Sequence, residues 1–403
     1  MKRLTAIGLL ACCVPAAAPF AQEMTIDGFV DFRLVRTSNE RSWMVGDLGK
    51  FRFDGAGDVK PQFGEFSAIP NIRLSPELSL YGHIRYEPQQ LHPFDMVEAY
   101  ARYRPVSTTP FRWSVKGGAF FPPISLENEG IGWTSIWTLT PSMINSWVGE
   151  ELRTIGAEAM FEWRDAAYQI EAVGSMYLSS DPAGIMLADR GWAFSDRPTG
   201  LLDRLRLPNA FAATQRRPTP YYSEPFLEID DRVGWYAGLT ARSPEYGRAS
   251  LLYYNNEADA SAQRSQFGWR TDFWSLGAET RIGELVLIAQ GMMGATTIKP
   301  TAVVNRTEFN SAFVLLGYEF GNWRLGGRVE HFGTNTFRYP TGTSQLKEHG
   351  WAETLALTWR PQDWLRLTGE IIHIESTRLQ RTQLGRSPES EDVQAQLALR
   401  VFF

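Results

Sequence analysis

The chain ends on the stretch Val393-Gln394-Ala395-Gln396-Leu397-Ala398-Leu399-Arg400-Val401-Phe402-Phe403, which has a strict two-residue period. Its odd positions are all apolar, and its even positions are mostly polar. Successive side chains of a β-strand point to opposite faces, so the stretch predicts a strand with one apolar face and one polar face. A strand of a soluble sandwich would alternate in the same way. The fold class therefore depends on how often the pattern recurs and on what separates the repeats.

The same alternation recurs along most of the chain. It predicts about fifteen further strands, centred near residues 30, 70, 82, 100, 114, 158, 174, 237, 252, 276, 288, 315, 328, 356 and 369. Short polar turns alternate with longer links, and the longest links span residues 38–64, 123–148 and 180–230. Short turns at one end and long loops at the other are typical of outer-membrane barrels.

Aromatic side chains give an independent test of this interpretation. Eight of them lie on the apolar parity within a few residues of a short turn or the chain end: Tyr103, Phe111, Trp163, Tyr168, Phe320, Trp323, Trp359 and Phe403. A membrane barrel needs such rings where hydrocarbon meets headgroups, whereas a soluble core would scatter them. Lipid offers no partner to an unpaired backbone group, so the sheet must also close on itself. The sequence therefore predicts an all-β fold, an antiparallel up-and-down transmembrane β-barrel of about 16 strands with long extracellular loops and short periplasmic turns.

The composition agrees with strands as the spanning elements. The 403 residues are 43% hydrophobic and 21% charged, and after the first two dozen positions no apolar run is long enough for a lipid-spanning helix. Such a helix needs about 20 residues. The formal net charge of −5 argues against nucleic-acid binding, because that function requires a basic surface.

The N-terminus has the three parts of a secretory signal peptide. Two basic residues within residues 1–3 precede an apolar run at 4–14 and an alanine-rich segment at 16–21. We expect residues 1–21 to be removed and residues 22–403 to form a single barrel domain.

Cysteine occurs only at Cys12 and Cys13, inside the segment that we expect to be removed. The stretch Leu9–Cys12 leaves a lipoprotein cleavage box open as an alternative. Without cysteine, the mature chain has no disulfide, and a zinc site would have to use histidine or carboxylate ligands. No metal or other cofactor is implied.

Three features carry a resemblance to a known family. The stretch Val97-Glu98-Ala99-Tyr100-Ala101-Arg102-Tyr103 is a strand pattern common in porins. The stretch Gly117-Gly118-Ala119-Phe120-Phe121-Pro122-Pro123-Ile124-Ser125-Leu126-Glu127 is similar to the place where phosphate-selective porins leave a strand and begin their constriction loop. The terminal Phe403 looks like the aromatic residue by which porins are recognised for assembly. The mature chain thus resembles the Gram-negative outer-membrane porins and is distantly similar to the phosphate-selective porin family.

This resemblance implies an outer-membrane location, insertion by the barrel-assembly machinery and a homotrimer surrounded by lipid and lipopolysaccharide. It implies a water-filled channel for the passive diffusion of small hydrophilic solutes or ions. Near the stretch that matches the phosphate-selective porins, Lys116 is the only lysine, and arginine dominates the mature chain.

Charged side chains on the parity opposite to the apolar face are expected to line the lumen. The basic ones form one continuous arc once the last strand closes beside the first: Arg33, Arg73, Arg85, Arg102, Arg112, Lys116, Arg324, Arg328, Arg366 and Arg400. Opposite this arc, Glu158, Glu162 and Glu171 form an acidic sector for which we expect no basic partner nearby.

Two long links bear on the function. Link 123–148 carries Glu127 and Glu129 and is the expected inward-folded constriction, where carboxylates facing the arginine arc would select solutes by charge. The alternative, that these charges only solvate the wall and pair with neighbours, stays open. Link 180–230 could cover the pore mouth or contact lipopolysaccharide, but we expect a solvated loop on the exterior.

An enzyme is the competing interpretation, because some outer-membrane barrels are lipases, acyltransferases or proteases. The five histidines form no metal or nucleophile motif: His83, His92, His331, His349 and His373. A Ser–His pair assembled across strands stays open, since catalytic triads are recognised by geometry rather than by spacing. We interpret the chain as a porin without enzymatic activity.

Overall fold

The computed structural model describes residues 23–38, 40–54, 57–208, 222–340 and 346–403. The expected signal peptide, with Cys12 and Cys13, lies outside the described residues, as does much of link 180–230. Within the described residues, no helix is both long and apolar enough to span a membrane.

Sixteen strands form one closed antiparallel barrel. Their bounds are β1 Glu23–Thr37, β2 Val59–Arg73, β3 Leu78–Tyr86, β4 Phe94–Tyr103, β5 Phe111–Phe120, β6 Thr154–Arg164, β7 Gln169–Leu178, β10 Gly234–Ser243, β11 Gly247–Asn255, β12 Arg270–Ile282, β13 Leu285–Ile298, β14 Val304–Phe320, β15 Trp323–Tyr339, β16 Leu346–Gln362, β17 Leu365–Arg378 and β18 Glu389–Phe402. Each barrel strand pairs with its neighbours along the chain, and β18 pairs with β1. The predicted fold class, strand number and strand centres are confirmed.

A few short elements lie in the links. Strands β8 (Leu205–Arg206) and β9 (Tyr222–Ser223) form a separate two-stranded sheet, so β7 pairs directly with β10 in the barrel. The α-helices are α1, Met143–Glu151, and α2, Ile185–Asp189, and short 3-10 helices span Trp43–Val45 and Leu379–Leu384.

The outer face of the barrel is apolar, and its aromatic rings gather near the short turns. Phe111 is 69% exposed, Phe403 54% and Phe320 43%. The rings of Trp323 and Trp359 stack with centroids 6.0 Å apart on neighbouring strands. This arrangement agrees with the aromatic girdle of a membrane barrel. We call the end with the short turns periplasmic and the end with the long links extracellular.

The strands differ in length more than a common membrane depth would predict. A tilted membrane strand needs about 9–11 residues, and β3 to β5 have 9 to 10 residues each. By contrast β14, β15 and β16 have 17 residues each. These three strands extend the barrel wall beyond the membrane on the extracellular side.

Three links fold into the barrel instead of away from it. We call them the first inward segment (40–54), the second inward segment (121–153, with α1) and the third inward segment (180–208, with α2). Most of their residues are buried. The interior is therefore filled at its centre, which differs from the water-filled lumen that sixteen strands predict.

Large apolar side chains on the inner face of β12–β17 explain why the segments fold inward. The largest of them are at most 2% exposed: Phe273, Phe309, Phe313, Phe332 and Ile372. The ring of Trp147 on α1 lies 5.4 Å from that of Phe273 and 5.2 Å from that of Phe309. Such an inner face would be costly against water, so the inward segments cover it. Every residue of α1 is buried, and Ser142 caps it by accepting the Asn145 N–H.

Two glycines on the inner wall make room for one tryptophan of the second inward segment. A Cβ on Gly317 of β14 would lie 2.5 Å from the Trp137 ring, and one on Gly326 of β15 would lie 2.4 Å from the Trp137 carbonyl oxygen. The adjacent Gly327 has no atom within 4 Å of its Cβ position. Glycine at 317 and 326 is therefore required for the seating of Trp137.

We expect Gly317→Val to displace Trp137 and to lower the free energy of unfolding by about 1–3 kcal/mol, the usual cost of overpacking. Gly327→Val is the matched control, and it should change that free energy by no more than about 0.5 kcal/mol. Tryptophan fluorescence during guanidinium unfolding of the refolded protein measures both. Equal effects of the two substitutions would show that Trp137 is not held against this wall.

Candidate functional site: a chain of ion pairs inside the barrel

The inner wall formed by β1–β5 is mainly charged, whereas the wall of β12–β17 combines large apolar side chains with a few ion pairs such as Arg328–Glu330. At its periplasmic side, Arg400 on β18 contacts Asp31 on β1 at 2.7 Å (Nη2 to Oδ2). Asp31 also contacts Arg33 on the same strand at 2.9 Å. Arg33 in turn reaches the third inward segment, where its Nη1 lies 2.5 Å from Oδ2 of Asp196. Strand alternation places Asp31 and Arg33 on the same inner face.

The series of ion pairs continues from Asp196 toward the extracellular side. Arg52 of the first inward segment lies 3.0 Å from Asp196 and 3.2 Å from Glu87, which follows β3. Glu87 also contacts Arg197 at 2.7 Å, and Arg197 contacts Asp203. Basic and acidic groups thus alternate without a break through the interior. We call this set of contacts, from Arg400 to Asp203, the ion-pair chain.

The ion-pair chain is buried, and its burial costs free energy. Asp31 and Glu87 are 0% exposed, and Arg33 is 3% exposed. Desolvation costs several kcal/mol per buried ion, so buried pairs of this kind contribute little net stability compared with well-packed apolar residues. Charged residues inside a membrane-spanning structure commonly mark a path for ions or substrates.

Asp196 stays ionised despite its burial. Burial alone would raise the pKa of the Asp196 carboxyl, but the charges of Arg33 and Arg52 and a hydrogen bond from Arg52 outweigh it and hold the pKa well below its usual range. Asp196 therefore acts as a fixed negative charge between two guanidinium groups.

One cavity lies at the extracellular end of the ion-pair chain and one lies beside its middle, whereas a third lies among the periplasmic turns of the barrel and touches no member of the ion-pair chain. A cavity of about 220 Å³ at the extracellular end is lined by Arg197, Arg204 and Arg206 together with Tyr222. One of about 290 Å³ at the periplasmic end is lined by polar and charged residues of β1–β4 and their turns. Between them, a cavity of about 10 Å³ borders Asp196 and has room for about one water molecule. These spaces are not joined into an open channel in this structure.

The structure distributes the basic residues expected in the lumen over three places. Arg33, Arg85 and Arg400 lie in or beside the ion-pair chain, and Arg85 pairs with Glu65. Another group lies at the periplasmic end, half-buried or exposed: Arg73, which pairs with Glu23, and Arg102, Arg112 and Arg366. Three lie on other parts of the wall: Lys116, Arg324 and Arg328.

Arg328 binds the second inward segment from the β15 wall. Its Nη1 lies 3.2 Å from Glu127, and its Nε lies 2.8 Å from Glu330. Glu127 also accepts the Ser142 N–H at 2.6 Å, next to the start of α1. The expected constriction link 123–148 lies within the second inward segment, and Glu127 anchors it to the wall. Glu129 is half exposed and pairs with Arg248.

The expected acidic sector does not lack basic partners. Glu158 contacts Lys116 at 2.9 Å across the β5–β6 pair. Glu162 contacts Arg164 at 2.9 Å, and Glu171 contacts Arg242 at 3.2 Å. The expectation of an unpaired sector was therefore wrong, because antiparallel pairing brings Lys116 and Arg242 from the neighbouring strands, and Arg164 lies two residues after Glu162 on the same face of β6.

Several members of the ion-pair chain were missed from the sequence because they lie in links without periodicity. These are Arg52, Asp196, Arg197 and Asp203. Link 180–230 was expected on the exterior, whereas its residues 180–208 lie inside the barrel. A signal was available, since the inner parity of β12–β17 carries large apolar residues such as Phe309, Phe313 and Phe332, which indicate a filled lumen.

One Ser–His pair occurs on the inner wall. Ser67 Oγ of β2 and His83 Nε2 of β3 are 3.1 Å apart. His83 is 1% exposed, and its Nδ1 has no hydrogen-bond partner, so no carboxylate orients the ring. This pair lacks the third group and the substrate access of a hydrolase site.

Within the described residues, one acidic group has the spacing of metal ligands: Asp181, Glu228 and Asp230, with oxygens within 4.8 Å of one another. Burial and the charges of Glu228 and Asp230 raise the pKa of Asp181 to about 7. Backbone N–H groups of Ile229 and Asp230 already donate to Asp181 Oδ2. The cluster is thus bound into the extracellular loops by backbone contacts.

No protein-family model and no curated protein matches the sequence. Among solved structures, the chain is similar to a loop L8 deletion mutant of OmpT, an outer membrane protein of Vibrio cholerae, with a TM-score of 0.53 and 10% identity over 95% of this chain and 100% of that one. The in-vitro folded OmpT gives a TM-score of 0.51 with 11% identity over 96% and 99% of the two chains. A trimer form of OmpT gives a TM-score of 0.51 with 9% identity over 95% and 100%.

At such identities these likenesses show the fold alone, a closed outer-membrane β-barrel. Sixteen strands with short turns at one end and long links at the other make it porin-like, so the recognition as an outer-membrane porin-type barrel is confirmed at the level of fold. The similarity to phosphate-selective porins stays a prediction.

Glu151 at the end of α1 joins the second and third inward segments. Its carboxylate accepts hydrogen bonds from Trp147 Nε1 at 2.5 Å, Gly184 N at 3.1 Å and Met186 N at 3.2 Å. Burial outweighs these donors and the charge of Arg190 and raises the pKa of Glu151 from 4.5 to about 7. Between these two pH values the folded protein holds a proton that the unfolded chain releases.

Glu151 should therefore make the fold less stable as the pH rises from about 4.5 to 7, by about 3 kcal/mol in total. We expect Glu151→Gln to remove this part of the pH dependence. The midpoint of guanidinium unfolding across this pH range measures it, with Glu150→Gln on the same helix as the matched control. A wild-type slope in the Glu151→Gln protein would contradict the assignment.

Proposed function

We propose that this protein is a channel of the outer membrane that passes small hydrophilic solutes along the ion-pair chain. The observation that carries the proposal is the unbroken alternation of buried charges from Arg400 to Asp203, with a polar cavity at its extracellular end. Charges in such a place coordinate and orient permeating ions and dipoles, as rings of charged side chains do in other pores. No cofactor takes part.

The structure corresponds to the closed state of this channel. The third inward segment crosses the path at Asp196, which bridges the barrel wall at Arg33 and the first inward segment at Arg52. Opening requires that Asp196 leave these two arginines. The apolar half of the lumen holds the second inward segment in place, so the path opens along β1–β5 only.

In this proposal the expected lumen residues have separate roles. Arg33, Arg85 and Arg400 line the path. Arg73, Arg102, Arg112 and Arg366 give the periplasmic mouth its positive charge. Arg324 and Arg328 fix the second inward segment, as do Glu127 and Glu129 from its own side. Lys116, Glu158, Glu162 and Glu171 are paired wall residues of β5–β7.

We further propose that residues 1–21 are a signal peptide, that Phe403 serves in recognition by the barrel-assembly machinery, and that the protein is a homotrimer in a bilayer with lipopolysaccharide. The similarity of fold to the trimer form of OmpT supports the oligomeric state. An enzymatic function has less support, since Ser67 and His83 lack a third partner and access from solvent.

The purified protein should produce stepwise conductance in a planar lipid bilayer. A cysteine-substitution experiment locates the path, because residues 22–403 contain no cysteine. We expect a charged methanethiosulfonate reagent to block the current of Gln90→Cys, because Gln90 lines the cavity beside Arg197 at the extracellular end of the ion-pair chain. The matched control is Ser311→Cys on the inner face of β14, which should conduct and resist the reagent.

Folded protein that never conducts would refute the channel. Block of Ser311→Cys but not of Gln90→Cys would place the path on the other wall. Hydrolysis of a phospholipid or ester that disappears on Ser67→Ala would instead favour the enzyme.

A further inference from the structure

The carboxylate of Asp196 occupies a site built from two arginines of other chain segments. Arg33 belongs to β1, and Arg52 belongs to the first inward segment. Their guanidinium groups lie 2.5 Å and 3.0 Å from the two carboxylate oxygens. Asp196 comes from the third inward segment, so neither arginine depends on the backbone that carries its partner.

One further polar side chain, that of Asn128, borders the same place without a hydrogen-bond partner. The small central cavity beside Asp196 is lined also by Asn128 and Arg400. Asn128 is 7% exposed, and neither atom of its side-chain amide has a hydrogen-bond partner. A buried amide without partners is unusual, because burying such a group costs free energy unless it is hydrogen-bonded. These groups could satisfy a ligand slightly larger than the Asp196 side chain.

We propose that Arg33, Arg52 and Asn128 form a binding site for a small carboxylate solute, which Asp196 occupies as a tethered competitor. The proposal rests on the proposed channel function, since the solute must reach the site through the barrel. A permeating carboxylate takes the place of Asp196 on the two arginines. The third inward segment then loses its bond to the wall, so the solute itself favours the open path.

The charge balance of the wall favours a monocarboxylate. When the third inward segment leaves, it takes Asp196, Arg197 and Asp203 with it. Four arginines then remain: Arg33, Arg52, Arg85 and Arg400. Three carboxylates remain beside them: Asp31, Glu65 and Glu87. One negative charge restores neutrality in this buried place, whereas an anion with more charges would leave an excess.

Chemical rescue tests the site without any measurement of current. Asp196→Ala removes one carboxylate partner from each of two buried arginines and leaves Arg33 with Asp31 and Arg52 with Glu87, so the variant should unfold at a lower temperature than the wild type. Acetate has the carboxylate of the missing side chain and should raise the unfolding midpoint of the variant by about 3 °C at ten times its dissociation constant. At equal ionic strength, chloride should not do so, and neither salt should shift the wild type.

The double variant Arg33→Gln with Asp196→Ala is the control for the site. It should need at least about tenfold more acetate for the same shift, because one of the two guanidinium groups is gone. Equal rescue of the single and double variants would overturn the proposal. Equal rescue by chloride, or stronger rescue by phosphate, would overturn it as well.

A second variant keeps the test decisive if Asp196→Ala does not fold. Asp196→Asn keeps the shape of the side chain and removes its charge. The tethered carboxylate of Asp196 competes with acetate at an effective concentration in the millimolar range or above. Removing this competitor should lower the apparent dissociation constant of acetate by about tenfold or more. Calorimetry on the detergent-solubilised protein measures this ratio. Equal dissociation constants of acetate in Asp196→Asn and the wild type would refute the role of Asp196 as a tethered competitor.

The site and the channel fail in different ways. Acetate binding that depends on Arg33, in a protein that never conducts, would refute the channel and keep the site. Conductance in Asp196→Asn without any acetate binding would refute the site and keep the channel.

Discussion

Closure of the sheet between β1 and β18 is the constraint on which the rest of the molecule depends. In lipid, backbone N–H and C=O groups have no partner except one another, so the first and last strands must pair. They do so from Phe29–Phe402 to Thr37–Gln394. This closure creates an interior that lipid cannot enter and brings Asp31 directly opposite Arg400. The ion-pair chain therefore begins at the contact that completes the barrel.

The closed barrel leaves an interior that something must fill, and its two walls are filled differently. On the β12–β17 side the inner face carries large apolar side chains, and α1 packs against them through Trp147. On the β1–β5 side the inner face carries charges, and residues of opposite charge on the inward segments form ion pairs with them. Contacts in the apolar half stabilise the fold because they remove apolar surface from water. Ion pairs in the charged half add little net stability, but without them the buried ions would destabilise the fold.

The barrel could be predicted from the sequence because its evidence is local. The alternation of apolar and polar residues over a few positions is enough to predict each strand. The strand centres predicted near residues such as 174, 237 and 398 all lie in barrel strands. The contacts of the interior are not local. Arg52 and Asp196 lie in links that follow no period, and only the folded chain shows that they meet. Residues such as Phe309 and Phe332, apolar on the inner parity, were the available sign that the lumen is filled.

The two halves of the interior also differ in what opening would cost. Separating α1 from Phe273 and Phe309 would expose apolar surface at about 25 cal/mol per Å² with nothing to replace the lost contacts. Separating Asp196 from Arg33 and Arg52 exchanges one set of polar partners for another, since water, a neighbouring carboxylate or a solute anion can take the vacated places. The free-energy cost of a path is therefore lowest along the charged wall. The same contacts that close the barrel in this structure are the ones that a charged solute is best able to replace.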